Sequence, residues 1–196
     1  VKIGVLAVQG AVSEHIVILK KCGVEGVPVK RKEDFSALDA LIIPGGESTT
    51  MGRLVKKFNL DKKIIKMAQE GKPVYGTCAG MVLMAAEIEG EHPHLKLIDI
   101  CVLRNAFGRQ NESFETDLTV SLWGDKPFRG VFIRSPIVVR AGPSVEILSF
   151  FEDKIAAVRQ GNLLATSFHP ELTEDERFHR LLIDAAGKTL KKVKHN

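Results

Sequence analysis

The first part of the chain alternates two hydrophobic patterns. Short apolar runs without helical period, at Lys2–Gln9, Val27–Lys30, Ala40–Ile43 and Pro73–Thr77, read as buried strands. Between them, Val12–Cys22 carries apolar residues at Val12, Ile16 and Leu19, which suits an amphipathic helix. Further helices are expected from Thr49 or Thr50, over Asp61–Glu70 and over Ala79–Ile88, with Gly10, Gly23, Gly26 and Pro44-Gly45-Gly46 as breaks. Strand–helix alternation of this kind means βαβ units and a parallel sheet covered on both faces. From about Ile98 to Ser167 the pattern changes. FETDLTV, GVFIRSP, VEILSF and KIAAVRQ are short, strand-like and bounded by turn residues, and are read as strands, several of them antiparallel. A last helix is expected over Glu174–Ala186, with Thr173 and Glu176 as its capping box. The fold class is therefore α/β: three layers, a mostly parallel central sheet with helices on both faces, and added antiparallel strands in the second half. Without repeats or a low-complexity linker, one domain is expected over residues 1–187.

Composition narrows the partners. The 196 residues suffice for one substantial core, and 44% apolar with 27% charged residues is ordinary for a globular domain. The net charge of +4 is partly local, since residues 188–196 form the basic tail KTLKKVKHN, expected as a frayed, solvated end. Elsewhere no basic stripe is interleaved with aromatics, so nucleic acid is not an expected partner. No apolar run approaches the roughly 18 residues of a membrane span, and VKIGVLAVQG reads as a first strand rather than a signal peptide. Cys22, Cys78 and Cys101 are odd in number and form no CxxC pair, which favours a reducing compartment and a cytoplasmic location.

One of these cysteines stands apart. Gly76-Thr77-Cys78-Ala79-Gly80 has the form G-x-C-x-G at an expected strand-to-helix junction, the thiol counterpart of the G-x-S-x-G nucleophile elbow. Small residues two positions either side let strand and helix approach closely. The thiol then projects at the carboxyl end of the sheet, where open α/β folds bind ligands, and the following helix start favours its thiolate. Cys22 and Cys101 lack such a setting and read as structural. A thiol nucleophile needs a base. Of six histidines, His169 follows the apolar run Leu163–Phe168, Pro170 fixes the turn after it, and Glu171 is placed to hold the imidazole in one tautomer. His92 and His94 have H-x-H spacing but no third ligand nearby, so they read as loop residues and no metal is expected. His15, His179 and His195 give no better constellation.

Acyl transfer through a thiol forms an oxyanion that needs N–H donors. Ala79, after the nucleophile, offers one; the flexible loop Pro44-Gly45-Gly46-Glu47-Ser48 offers another, at Gly46. The G-x-C-x-G, the PGG loop and the late His-Pro-Glu together resemble the triad-type, class I glutamine amidotransferases, whose fold is flavodoxin-like. VQGAVSEH (Val8–His15), PGGESTTM (Pro44–Met51), GTCAGM, RNAFGRQ (Arg104–Gln110), FIRSP (Phe132–Pro136) and SFHPELTED narrow the resemblance to the glutaminase subunits of pyridoxal 5′-phosphate synthase, over nearly the whole chain.

The resemblance implies hydrolysis of L-glutamine to L-glutamate and ammonia through a cysteinyl thioester. It makes Cys78 the nucleophile, His169 the base and then acid, and Glu171 its orienter. Gly46, Glu47, Ser48, Arg104, Ile133 and Arg134 would contact glutamine, with Glu47 answering the α-ammonium and an arginine the α-carboxylate. Gln9 and Gly10 would lie near the synthase partner and the ammonia exit. No bound cofactor is implied, and the partner is a separate synthase subunit in a hetero-oligomer. Two other classes compete on the residues alone. A peptidase- or deglycase-like cysteine hydrolase is one, although many of those place a histidine where Ala79 stands. A non-catalytic regulatory module with a relic triad is the other.

Overall fold

The computed structural model describes residues 1–106 and 113–194. The βαβ half runs β1 (Lys2–Leu6), α1 (Val12–Lys21), β2 (Glu25–Val29), β3 (Ala40–Ile43), α2 (Ser48–Lys57), α3 (Asp61–Gln69), β4 (Val74–Thr77) and α4 (Ala79–Met84). Then follow β5 (Ala85–Ile88), β6 (Ile98–Leu103), β7 (Ser113–Leu118), β8 (Phe128–Ile133), β9 (Ile137–Ala141), β10 (Glu146–Phe151), β11 (Lys154–Gln160), β12 (Leu163–Thr166) and α5 (Arg177–Lys194). The main sheet has the order β2-β1-β3-β4-β12-β11-β9-β6-β5, with β10 paired to β11. From β2 to β12 every pairing is parallel. Beyond β12, the pairings of β11 with β12, β9 and β10, and of β6 with β9, are antiparallel, while β5 and β6 are parallel. β7 and β8 form a separate antiparallel pair.

Strand alternation divides the core in two. Leu41 and Ile43 of β3 join Met51 and Val55 of α2, Ile64 and Met67 of α3, and the buried α4 on one face. Ala40 and Ile42 turn to the other face, against Leu19 of α1, Phe178 and Leu182 of α5, and Phe128 and Phe132 of β8. The β7–β8 pair thus acts as part of a covering layer. Among the described residues no helix is long and apolar enough to cross a membrane.

Several elements depart from the sequence expectation, among them β2, which begins at Glu25 rather than Val27 and holds Gly26 inside the strand rather than as a break. The helix expected over Ala79–Ile88 stops at Met84, and Ala85–Ile88 is a strand paired with β6. MVLMAAEI carries no glycine or proline break and is rich in helix formers, so its switch comes from tertiary pairing that overrides local propensity. The last helix begins at Arg177 rather than Glu174, and the Thr173–Glu176 capping box does not form. Thr173 Oγ1 instead donates to the Pro170 carbonyl at 2.9 Å, and Asp175 accepts from the Arg177 amide at 3.0 Å. That helix also passes Ala186 and continues to Lys194, so most of the segment expected as a frayed tail is helical. Thr189 Oγ1 ties its turn to the Ala185 carbonyl at 3.0 Å, and the lysines that follow are good helix formers. At the other end, β1 stops at Leu6 rather than Gln9; the Ala7 amide still donates to the Val29 carbonyl at 2.8 Å, and Gln9 then reaches the β3–α2 loop.

Candidate active site

Cys78 sits at the turn from β4 into α4 with φ +48° and ψ −104°. A non-glycine residue at positive φ is uncommon and carries strain, and here it lifts the thiol off the strand end. The conformation is locked from two sides. The Cys78 amide donates to the Thr166 carbonyl of β12 at 2.8 Å, and Gly80 lies so close to β3 that a Cβ there would fall on the Ile43 carbonyl oxygen. The expected role of small residues around the cysteine is thus met by contacts with named neighbours. The thiol is nearly buried and its Sγ is 3.9 Å from the Ile133 carbonyl oxygen.

β12 runs beside β4 in parallel register and delivers His169 just past its end. The His169 amide donates to the Val131 carbonyl at 2.8 Å, which anchors the turn. Its Nδ1 lies 2.7 Å from Glu171 Oε1, and both side chains are buried. Nε2 is buried without a full hydrogen bond among the described residues, and the ring lies beside the Cys78 sulfur. Burial works against charge on the imidazole, but the Cys78 sulfur and the Glu171 carboxylate outweigh it and lift His169 to about 10. Burial likewise opposes ionisation of Glu171, and the histidines His15 and His169 overcome it, leaving the carboxyl below its usual value. A side chain at Gly45 would collide with the His169 ring and reach within 3.4 Å of Cys78 Cβ, so the PGG loop lies directly over the pair.

These groups open onto a cleft of about 440 Å³. Gly46, Glu47 and Ser48 line it from the β3–α2 loop, and Ala79 from the start of α4. Ile133 and Arg134 line the facing wall from the end of β8, where Arg134 also has positive φ, +44°. Arg104 enters from the β6 side. Gln9 and Gly10 line the cleft as well, where Gln9 Oε1 accepts from the Glu47 amide at 2.8 Å and the Ala11 amide donates to the Gly45 carbonyl at 3.0 Å. The candidate site residues Gln9, Gly10, Gly46, Glu47, Ser48, Cys78, Ala79, Arg104, Ile133, Arg134 and His169 thus line one cleft, with Glu171 behind His169. Of the RNAFGRQ stretch, Phe107–Gln110 lie outside the described residues.

Glu47 and Arg104 are charged neighbours. Glu47 caps α2, accepting from the Thr49 and Thr50 amides at 2.9 and 2.8 Å and from the Thr50 hydroxyl at 2.6 Å. The Thr50 hydroxyl, aided by these amides against partial burial, holds its carboxyl near 2. Arg104 binds both oxygens of Glu91, at 2.7 and 2.9 Å, and reaches Glu47 at 3.3 Å. Glu91 was not singled out from the sequence. Neither were two further buried groups, His15 on α1 and His179 on α5. Their signal was helical: His15 is three residues after Val12 and four before Leu19, on the buried stripe, and His179 shares a stripe with Leu182 and Ala186. His94 packs its ring on Gly52 of α2.

Comparison with known proteins agrees with this architecture. The family model described as "SNO glutamine amidotransferase family" matches residues 5–188. The "Pyridoxal 5′-phosphate synthase subunit PdxT" of Pelotomaculum thermopropionicum is 54% identical over 184 residues, covering 93% of this chain and 94% of that protein. The protein of the same description from Halalkalibacterium halodurans is 55% identical over 184 residues, covering 93% of each. A solved structure titled "Crystal structure of glutamine amidotransferase" superposes with a TM-score of 0.90 at 49% identity, covering 94% of this chain and 98% of the other.

Proposed function

This chain belongs to the SNO glutamine amidotransferase family, and we propose that it hydrolyses L-glutamine to L-glutamate and ammonia and passes the ammonia to a separate pyridoxal 5′-phosphate synthase subunit. The observation that carries the reading is the elbow cysteine, Cys78, opening on the cleft beside a His169 whose Nδ1 is 2.7 Å from a buried Glu171. The thiolate attacks the side-chain carboxamide carbon. The developing oxyanion is received by the amides of Ala79 and Gly46. Protonated His169 gives its Nε2 proton to the departing nitrogen, releasing ammonia and leaving a thioester. Neutral His169 then takes a proton from water, whose oxygen attacks the thioester carbonyl; the C–S bond breaks and glutamate leaves. Glu171 holds the ring and supports its charge. Glu47 is assigned to the α-ammonium and Arg104 to the α-carboxylate, with Ser48, Ile133 and Arg134 completing the glutamine site.

Gln9 and Gly10 adjoin the loop that carries Gly46, which supports a place for them on the route to the partner. The relatives' description as synthase subunits supports a hetero-oligomer in which this chain generates ammonia for another. Three free cysteines, two of them buried, support a reducing, cytoplasmic setting. The test is glutamate release from L-glutamine by the purified chain, alone and with its synthase partner. Release that appears or rises strongly on mixing is the expected result. No release in either case, from a folded chain and a competent partner, overturns the reading.

A further inference from the structure

Behind Glu171 the fold buries two more imidazoles, from two helices of the layer that packs on Tyr75 and Phe168. His15 and His179 are both fully buried, with ring centroids 5.1 Å apart. His15 Nδ1 lies 2.9 Å from His179 Nε2. Its Nε2 lies 3.2 Å from Thr77 Oγ1, one residue before the cysteine, and 3.5 Å from Glu171 Oε2. Glu171 Oε2 itself is buried and makes no full hydrogen bond among the described residues. Burial outweighs the pull of Glu171 on both rings and holds them below the usual histidine value, His179 at about 3. Each ring is therefore neutral near pH 7 and carries one proton on one of its two nitrogens.

The contact between the rings takes one proton, so only two arrangements exist. In the first, His15 carries its proton on Nδ1 and donates to His179. Its Nε2 lone pair then faces a carboxylate oxygen, and His179 must hold its own proton on Nδ1, a buried atom with no partner. In the second, His179 donates from Nε2 to His15 Nδ1. His15 then presents Nε2–H to Thr77 and Glu171, and His179 Nδ1 is left as a bare acceptor. An orphaned buried N–H is rarer and costlier than an under-used acceptor, and the lone pair facing the carboxylate is repulsive. The second arrangement wins on both counts.

We infer that His15, held in its Nε2–H tautomer by His179, is a positioning residue for the candidate triad, fixing the outer oxygen of Glu171 so that the inner one faces His169. At 3.5 Å the interaction is more charge–dipole than full hydrogen bond, and Thr77 shares the proton. Its effect is on the orientation and ionisation of a buried carboxylate, which tolerates little unpaired charge. The inference rests on the reading of Cys78, His169 and Glu171 given above.

The test measures kcat and KM for L-glutamine in the complex with the synthase, thermal unfolding, and the charge transition of His169 by NMR of chain labelled with 15N-histidine. His15→Leu removes the donor; His15→Gln restores an N–H near the Nε2 position. His15→Leu is expected to lower kcat about 5- to 30-fold with KM little changed, and to move the His169 transition down by about half a pH unit or more. His15→Gln is expected to recover kcat to within about threefold of the unsubstituted chain. His179→Leu, which frees the tautomer of His15, is expected to move both readouts in the direction of His15→Leu, and decides the matter if His15→Leu does not fold. A folded leucine variant with kcat within twofold of the original, or equal losses in His15→Leu and His15→Gln with the His169 transition unmoved, overturns the inference alone. Turnover surviving in Cys78→Ala, measured in the same series, overturns the triad reading and this inference with it.

Discussion

Replacing Glu171 by glutamine separates the charge of the buried carboxylate from its shape. The amide oxygen can still accept from His169 Nδ1, so the 2.7 Å contact has a neutral substitute of the same length. What is lost is the negative charge that supports the imidazolium. A hydrogen bond to a charged group contributes about 1.5–3 kcal/mol, which converts to a kcat loss of about 10- to 150-fold. His169→Ala removes the imidazole itself, the proposed proton carrier. In hydrolase triads the orienting carboxylate costs about two orders of magnitude less than the base when each is removed. The assay is steady-state glutamate release in the complex with the synthase, with unfolding curves showing that each variant is folded. The expected order is unsubstituted, then Glu171→Gln, then His169→Ala, with KM changing little across the set. Near-native kcat in Glu171→Gln, or a loss equal to that of folded His169→Ala, refutes the division of labour between the two residues.

Cys78→Ala is expected to abolish glutamine hydrolysis while retaining synthase binding, read by co-elution of the two chains; retained turnover sinks the thioester route. Gly80→Ala places a methyl on the Ile43 carbonyl and is expected to cost about 2–4 kcal/mol in chemical denaturation; a loss under half a kcal/mol refutes the close packing of α4 on β3. The pH dependence of stability follows from His169. Its folded value, about 10, lies above the ordinary 6.5, so its stabilisation is full below about pH 6.5 and is lost as pH rises through about 10. Between those limits the unfolding temperature of the unsubstituted chain should fall more steeply than that of His169→Asn. Parallel curves count against the charged pair.

Much of the site was legible because its residue types are forced by local geometry. A sharp strand-to-helix turn with no room for side chains demands glycine, and Gly76 and Gly80 announce it around Cys78. A loop over the pair demands the same of Gly45. What local pattern does not carry is pairing between distant segments. Ala85–Ile88 has the composition of a helix and becomes a strand because β6 lies beside it. Thr173 and Glu176 have capping-box spacing, yet the Pro170 carbonyl captures the threonine first. His15 and His179 escaped because each looks like one polar interruption in a helix stripe. Only the packing of α1 and α5 against the same face brings the two rings into contact with each other.

Sheet order explains how such distant residues meet. β1, β3, β4 and β12 are neighbours in that order, all parallel. Their carboxyl ends therefore lie side by side on one edge, where open α/β sheets form their sites. Gln9 and Gly10 leave β1 there, Gly45–Glu47 leave β3, Cys78 leaves β4, and His169 leaves β12. Cys78 and His169 lie just past the ends of adjacent strands, which the Cys78 amide ties together at the Thr166 carbonyl, so their spacing is set largely by the sheet. The antiparallel half of the chain brings β12 back beside β4 after a long excursion through β5–β11, and it supplies the facing wall at Ile133 and Arg134 on the way. A substitution that weakens the β4–β12 pairing would therefore separate His169 from Cys78 without touching either side chain.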